Sequence, residues 1–231
     1  MKSFTVDHYI QRDILRSLSH VESLRFSTLK PAGLESNLFM YHLKQLLQQG
    51  LVIKEGQGYR LSTDGLRHVA RVTRTNLDPR VLPSLISLLV IKNAYGEYAM
   101  HTRPAQPFLG YLTFPGGMLR FNEELEEHID LQLQEKIGCH VPLTLRGTAS
   151  LRLGHASTPL THVYAQIFAG IVQGRPRIVA KDERFAPQWI DVATQREDML
   201  PDVPLIIEAI ETHPTHFFVD IVRTVIPRAQ S

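Results

Sequence analysis

Gly116-Gly-Met-Leu-Arg-Phe-Asn-Glu-Glu-Leu-Glu-Glu-His-Ile-Asp-Leu-Gln-Leu-Gln-Glu-Lys-Ile-Gly-Cys139 is the stretch on which the fold turns. After its two glycines, Leu125, Ile129 and Leu133 recur at helical spacing, which predicts a helix over 122–137 with one apolar stripe. Glu123 and Glu124 suit the positive end of that helix. Glu123, Glu127 and Asp130, spaced i, i+4, i+7, are expected to line one face. Glu135, five residues beyond Asp130, points about 140° away at ~100° per residue.

Strand-like segments surround this helix. Leu85-Ile-Ser-Leu-Leu-Val-Ile91 reads as a buried strand interrupted by Ser87, with a turn at 93–96 and a partner strand at 98–102. Further strands are expected at 145–151, 163–172 and 188–190, and a helix at 203–212. The apolar segment 217–226 fits either helix or strand.

Together with Pro107-Phe-Leu-Gly-Tyr-Leu-Thr-Phe-Pro-Gly-Gly-Met-Leu119, the opening stretch resembles the strand, loop and box of the Nudix family. That box runs Gly, five residues, Glu, seven residues, Arg-Glu, an apolar residue, any residue, Glu-Glu, any residue, Gly and an apolar residue. With Gly117 as the first glycine, Glu123 matches the first Glu and Glu135 the first of the Glu pair. Gly138 and Cys139 match the close, so the spacing is intact. The resemblance covers about residues 82–212, including Gln188-Trp-Ile-Asp-Val192, and implies a Nudix-like α/β/α sandwich.

The chemistry departs from the pattern. In the family, carboxylates of the box hold Mg²⁺ against a substrate diphosphate, and hard cations need several anionic oxygens. The positions matching Arg-Glu and Glu-Glu are Leu131, Gln132, Glu135 and Lys136. Three expected carboxylates become one amide, one carboxylate and one ammonium, with no net charge. The Lys136 ammonium would compete for Glu135 and repel a cation by about 4 kcal/mol per unit charge at ~4 Å and intermediate dielectric. The resemblance thus implies ligand contacts at Gly116, Gly117, Glu123, Gln132, Glu135 and Lys136, with no catalytic residue and no metal ligand. Glu135 would bind Mg²⁺ only if hydrolysis survives. Arg103, in His101-Thr-Arg-Pro104, resembles an arginine near the family's substrate cleft; phosphate contact and strand-edge solvation both stay open.

The first third has another make-up. Helices are expected over 6–18, 24–30, 35–49 and 64–74, with a hairpin at 51–61 around Gly56-Gln-Gly58. Residues 1–76 hold 11 Lys+Arg against 6 Asp+Glu, whereas the remainder holds 14 against 17. Leu34-Glu-Ser-Asn-Leu-Phe-Met-Tyr-His-Leu-Lys-Gln-Leu-Leu-Gln-Gln-Gly-Leu-Val52 resembles the recognition helix and first wing strand of ArsR- and MarR-like winged-helix regulators. Gly58-Tyr-Arg-Leu-Ser-Thr-Asp-Gly65 resembles their wing exit. A recognition helix presents polar side chains to a major groove while its apolar face holds it on the core. Ser36, Asn37, Tyr41, His42 and Lys44 are the candidate DNA contacts on the helix, and Lys54 and Arg60 the candidate phosphate contacts on the wing. For His42, base-edge contact and simple packing are both open.

Composition excludes several classes. Hydrophobic residues make up 43% and charged residues 21%, ordinary for a globular chain. The longest apolar run is far below membrane-spanning length, and the first residues carry charges where a signal peptide needs an apolar run. The chain therefore reads as cytoplasmic, with no membrane partner. One cysteine, Cys139, excludes an intramolecular disulfide and a Cys-based zinc site, and it fits a core position. His213 and His216 are separated by a proline that spoils helical presentation of a metal pair, and no Gly-x-Ser-x-Gly elbow is present.

The expected fold is α+β. It comprises a winged helix-turn-helix domain over 1–76, a linker over 77–82 and a Nudix-like domain over 83–231. This combination suggests a homodimeric transcriptional regulator that binds double-stranded DNA and senses a nucleotide or phosphorylated metabolite, without a cofactor. The alternatives are a Mg²⁺-dependent Nudix hydrolase of a nucleoside-diphosphate derivative with an unusual metal site, or a non-enzymatic protein-interaction module. Nudix-related regulators with ADP-ribose-like effectors place the two parts in the opposite order, so their effectors and targets do not carry over.

Overall fold

The computed structural model describes residues 4, 6–72, 82–138, 140–155 and 158–225. It divides into two compact units, Met1–Val81 and Leu82–Ser231. Cys139 and, apart from Leu82, the expected linker lie outside the described residues. No described helix is long and apolar enough to cross a membrane.

In the first unit, helix α1 (Tyr9–Leu18) buries Ile10, Ile14, Leu15 and Leu18. It starts three residues later than its periodicity predicts, because His8 is the N-cap and its Nδ1 accepts from the Ile10 amide at 3.2 Å. The expected helix over 24–30 splits: Leu24–Arg25 is strand β1, and only Phe26–Leu29 is helical (α2). Helix α3 (Ser36–Gln48) turns Phe39, Leu43 and Leu46 inward and ends before Gly50, whose φ of 75° suits a residue without a side chain. Strands β2 (Val52–Glu55) and β3 (Gly58–Leu61) form the expected hairpin, and helix α4 (Thr63–Ala70) follows. The sheet order is β1-β3-β2, with Leu24 opposite Tyr59. That pairing pulls Leu24 and Arg25 out of a helix: the open edge of β3 satisfies their backbone groups.

The second unit is built on β4 (Ser84–Asn93), β5 (Tyr98–Thr102), β6 (Leu112–Thr113), β7 (Gly116–Met118), β8 (Thr144–His155), β9 (Thr158–Val172), β10 (Gln188–Ile190) and β11 (Phe217–Thr224). The main path is β10-β5-β4-β9-β8-β11, with β6 on β5 and β7 on β4. β4 runs parallel to β9 and β11 parallel to β8; the other pairs are antiparallel. Alternation along β4 divides two cores. Leu88 and Val90 join Ala149, Leu151, Ile167, Phe217 and Ile221 with helix α6 (Val203–Thr212), while Leu89 and Ile91 join Phe168 with Ile129 and Leu133 of helix α5 (Leu125–Lys136) and its C-cap Ile137. The unit is a mixed α+β layering with one helix packed on each face. Of the open segment 217–226, Phe217–Thr224 is strand β11, with Phe217 and Ile221 buried, and residue 226 lies outside the described residues.

Helix α5 starts at Leu125, not at 122, because Asn122 takes a left-handed φ of 63° and Glu124 is the extended N-cap. Glu123 is therefore off the helix, and the expected row of Glu123, Glu127 and Asp130 on one face does not exist.

Candidate functional site

The β7 glycines are required by close approach. A Cβ on Gly116 would lie 2.0 Å from the carbonyl oxygen of Ser87, and one on Gly117 would lie 2.5 Å from Gln132 Oε1. Absence of side chains lets β7 pair with β4, Ser87 opposite Gly117, and lets α5 seat Gln132 against the strand. Gln132 is buried, and its Oε1 has no hydrogen-bond partner among the described residues.

A polar chain crosses the same layer. Ser87 Oγ is 2.9 Å from His128 Nε2, and His128 Nδ1 is 3.1 Å from Glu123 Oε2. A carboxylate only accepts, so Nδ1 carries the proton toward Glu123, and Nε2 accepts from the Ser87 hydroxyl. Glu123 also accepts from the Arg120 amide at 2.8 Å, and that bond, aided by His128, holds its carboxyl below the usual range. Glu123 thus fastens the loop ahead of α5. Ser87 and His128 were missed as a pair in the sequence; the signal was the hydroxyl interrupting the apolar run 85–91.

At the far end of α5, Glu135 and Lys136 diverge. Lys136 does not pair with Glu135, as the sequence suggested: the Glu135 carboxylate lies 3.7 Å from Lys181 Nζ. Lys136 Nζ stands 4.0 Å from the centroid of the Phe185 ring, within cation–π range. That ring is 6.0 Å from His101 of β5. His101 is 9% exposed with Nδ1 unpartnered among the described residues, and its pKa is pushed down to about 4 by burial, then by Lys136 and Arg103. Arg103 donates from Nε to the Pro107 carbonyl at 3.0 Å. Its pKa is lowered by burial and partly restored by Asp202. Asp202, buried at the start of α6, has its pKa raised to about 6 by burial, against opposing effects of its own backbone and of Arg103.

The sequence candidates therefore fall into three places. Gly117 and Gln132 meet at the β7–α5 contact, and Gly116 lies against the Ser87 backbone of β4. Lys136 and Arg103 act on His101, a residue that the sequence reading did not single out. Glu123 and Glu135 each have other partners. This donor set does not fit a Mg²⁺ ion: Gln132 is neutral, Lys136 is cationic, and the one carboxylate faces Lys181. Among the described residues, no group of three or more His, Cys, Asp or Glu is placed to hold a metal.

No protein-family model matches the chain, and no curated protein matches it. Solved structures are similar to part of it. The Nudix domain of Shewanella oneidensis NrtR complexed with ADP ribose is 16% identical, covering 57% of this chain and 88% of that one at a TM-score of 0.48. A Nudix hydrolase from Nitrosomonas europaea is 17% identical over 66% of this chain and 93% of its own, also at 0.48. A MutT protein from Bacillus halodurans is 12% identical over 60% and 90%, at 0.47. These likenesses are partial, and the chemistry has to be read from this chain's own side chains.

The first unit offers a separate surface. Ser36, Asn37, Tyr41 and Lys44 are exposed on α3, and Lys54 is exposed on β2. Of the two readings open for His42, the structure has packing: the residue is 5% exposed and stacks on His8 with ring centroids 3.9 Å apart. Burial and His8 hold its pKa below the usual value. It packs α3 against the cap of α1 and is not on the open face. Arg60 pairs with Glu55 and, by register, lies on the opposite face of the hairpin from Lys54: Arg60 is opposite Ile53, and Lys54 is opposite Tyr59.

Proposed function

We propose that this chain is a DNA-binding transcriptional regulator whose second unit is a Nudix-type domain that binds a nucleotide or phosphorylated metabolite without hydrolysing it. The observation that carries this reading is Lys136, an ammonium held over Phe185 beside His101 at a position where the hydrolase pattern has a carboxylate. The first unit is read as a winged helix-turn-helix. Its support is the three-stranded sheet beside α3, the exposed polar positions Ser36, Asn37, Tyr41 and Lys44, and the exposed Lys54 on the hairpin. The partners are double-stranded DNA and a second copy of the chain.

The test has two arms. Incubation with Mg²⁺ or Mn²⁺ and a panel of nucleoside diphosphate derivatives is expected to give no turnover, while at least one compound of the panel raises the melting temperature. Robust turnover lost on Glu135→Gln would establish the competing hydrolase reading. Binding to duplex DNA is expected to weaken steeply with salt. A wild-type chain without salt-sensitive DNA affinity would remove the regulator half.

A further inference from the structure

Lys136, the last residue of α5, stands where the family pattern has a carboxylate, and Arg103 follows the end of β5. We propose that the second unit holds the phosphate groups of its ligand on Lys136 and Arg103 with no divalent metal, and that His101 binds a proton more readily once the anion is in place. The inference rests on the ligand-binding reading above and specifies its chemistry.

The geometry supplies both halves. Lys136 is positioned by the Phe185 ring, whose face offers partial negative charge without neutralising the ammonium. A carboxylate in place of that ring would cancel the charge an anion needs. Arg103 spends Nε on the Pro107 carbonyl. Both cations act on His101, which is nine-tenths buried and has an unpartnered Nδ1. Gln132, equally buried, has an unpartnered Oε1.

The charged groups around His101 come from four segments. β5 and its continuation bring Arg103, and α5 brings Lys136. The 181–185 segment brings Asp182, which pairs with Arg184 and also feels Lys136, and Lys181, which pairs with Glu135. The start of α6 brings Asp202, which acts on Arg103. The electrostatic influences on His101 itself are therefore both positive, and they oppose its protonation. A dianionic ligand on Lys136 and Arg103 cancels their positive influence on the ring, so that only burial still opposes protonation and the imidazolium becomes easier to form. The imidazole takes the proton from solvent; no covalent bond changes. By linkage, affinity must rise as pH falls.

A diphosphate diester such as ADP-ribose is a suitable probe because its phosphates do not titrate between pH 5 and 8. The experiment follows the His101 ring by NMR in the full chain, with EDTA present, with and without saturating ADP-ribose. The expected result is a rise in the His101 pKa of about 1.5 units, with roughly fourfold tighter binding at pH 5 than at pH 7. His101→Gln should abolish the pH dependence while Asp202→Asn keeps it. Lys136→Gln should weaken binding about tenfold while the circular dichroism spectrum stays unchanged. An unmoved His101 titration at saturating ADP-ribose overturns the proton step and leaves the ligand-binding reading intact. Binding that appears only with Mg²⁺ overturns the metal-free site. Failure of ADP-ribose, ADP and inorganic diphosphate to bind with or without Mg²⁺ overturns both this inference and the reading beneath it.

Discussion

Ser87 and His128, from strand β4 and helix α5, meet through a 2.9 Å hydrogen bond in the interior, at 0% and 1% exposure. Ser87→Ala leaves a buried ring nitrogen without its donor and should cost about 1–3 kcal/mol, measured by urea unfolding. His128→Leu removes the acceptor and should cost a similar amount. In a double-mutant cycle the two should be less than additive, because the second change removes a group already stranded by the first. Strict additivity would show that the hydrogen bond contributes nothing.

The two β7 glycines differ in what a methyl group meets. Gly116→Ala drives a Cβ into the Ser87 backbone, which cannot move without breaking the β4–β7 pairing. Gly117→Ala meets only the end of the Gln132 side chain. The first should destabilise by about 3 kcal/mol or more, and the second by roughly 1 kcal/mol. Adding Gln132→Ala should recover part of the second loss and none of the first. Thermal melts of the four proteins compare them directly.

His101 and Asp202 titrate in opposing directions. His101 has a folded pKa of about 4 against 6.5, so stability falls as pH drops from 6.5 to 4, by an amount on the order of 3 kcal/mol. Asp202 has a folded pKa of about 6 against 3.8, so its stabilising protonated form is lost as pH rises from 3.8 to 6, by a similar amount. Between pH 4 and 6 these two contributions nearly cancel. His101→Gln should leave a chain whose stability declines with rising pH across that window, and Asp202→Asn one that declines with falling pH. Urea unfolding at half-unit steps of pH distinguishes the slopes; parallel profiles for both variants would sink the assignment.

On the DNA-binding reading, Lys54 and Arg60 are no longer equivalent. Lys54→Ala should weaken binding to all duplex sequences and reduce the salt slope by about 1. Arg60→Ala should do less, because Glu55 already shares its charge and its side chain lies on the other face of the hairpin. His42→Ala should lower the melting temperature without altering base preference. A changed base preference at full stability would return His42 to the DNA face.

Much of the architecture is legible in the chain because it follows from local periodicity. Leu125, Ile129 and Leu133 mark α5, Tyr98–Thr102 is a strand as its pattern requires, and α6 occupies 203–212 as expected. The charge change at Gln132 and Lys136 is likewise plain from residue identities, which do not depend on the fold. What local pattern cannot carry is partner choice. Leu24 and Arg25 leave their helix because β3 has an edge to fill, and Phe217–Thr224 becomes a strand because β8 accepts it in parallel. Glu123 belongs to His128 and Arg120 because the chain turns left-handed at Asn122, one residue before the helical row was meant to begin. Lys136 faces Phe185 and His101, residues 49 and 35 positions away, and no spacing rule along the sequence reaches that far. Covalent order decides which side chains a segment owns; desolvation and close packing in three dimensions decide which of them meet.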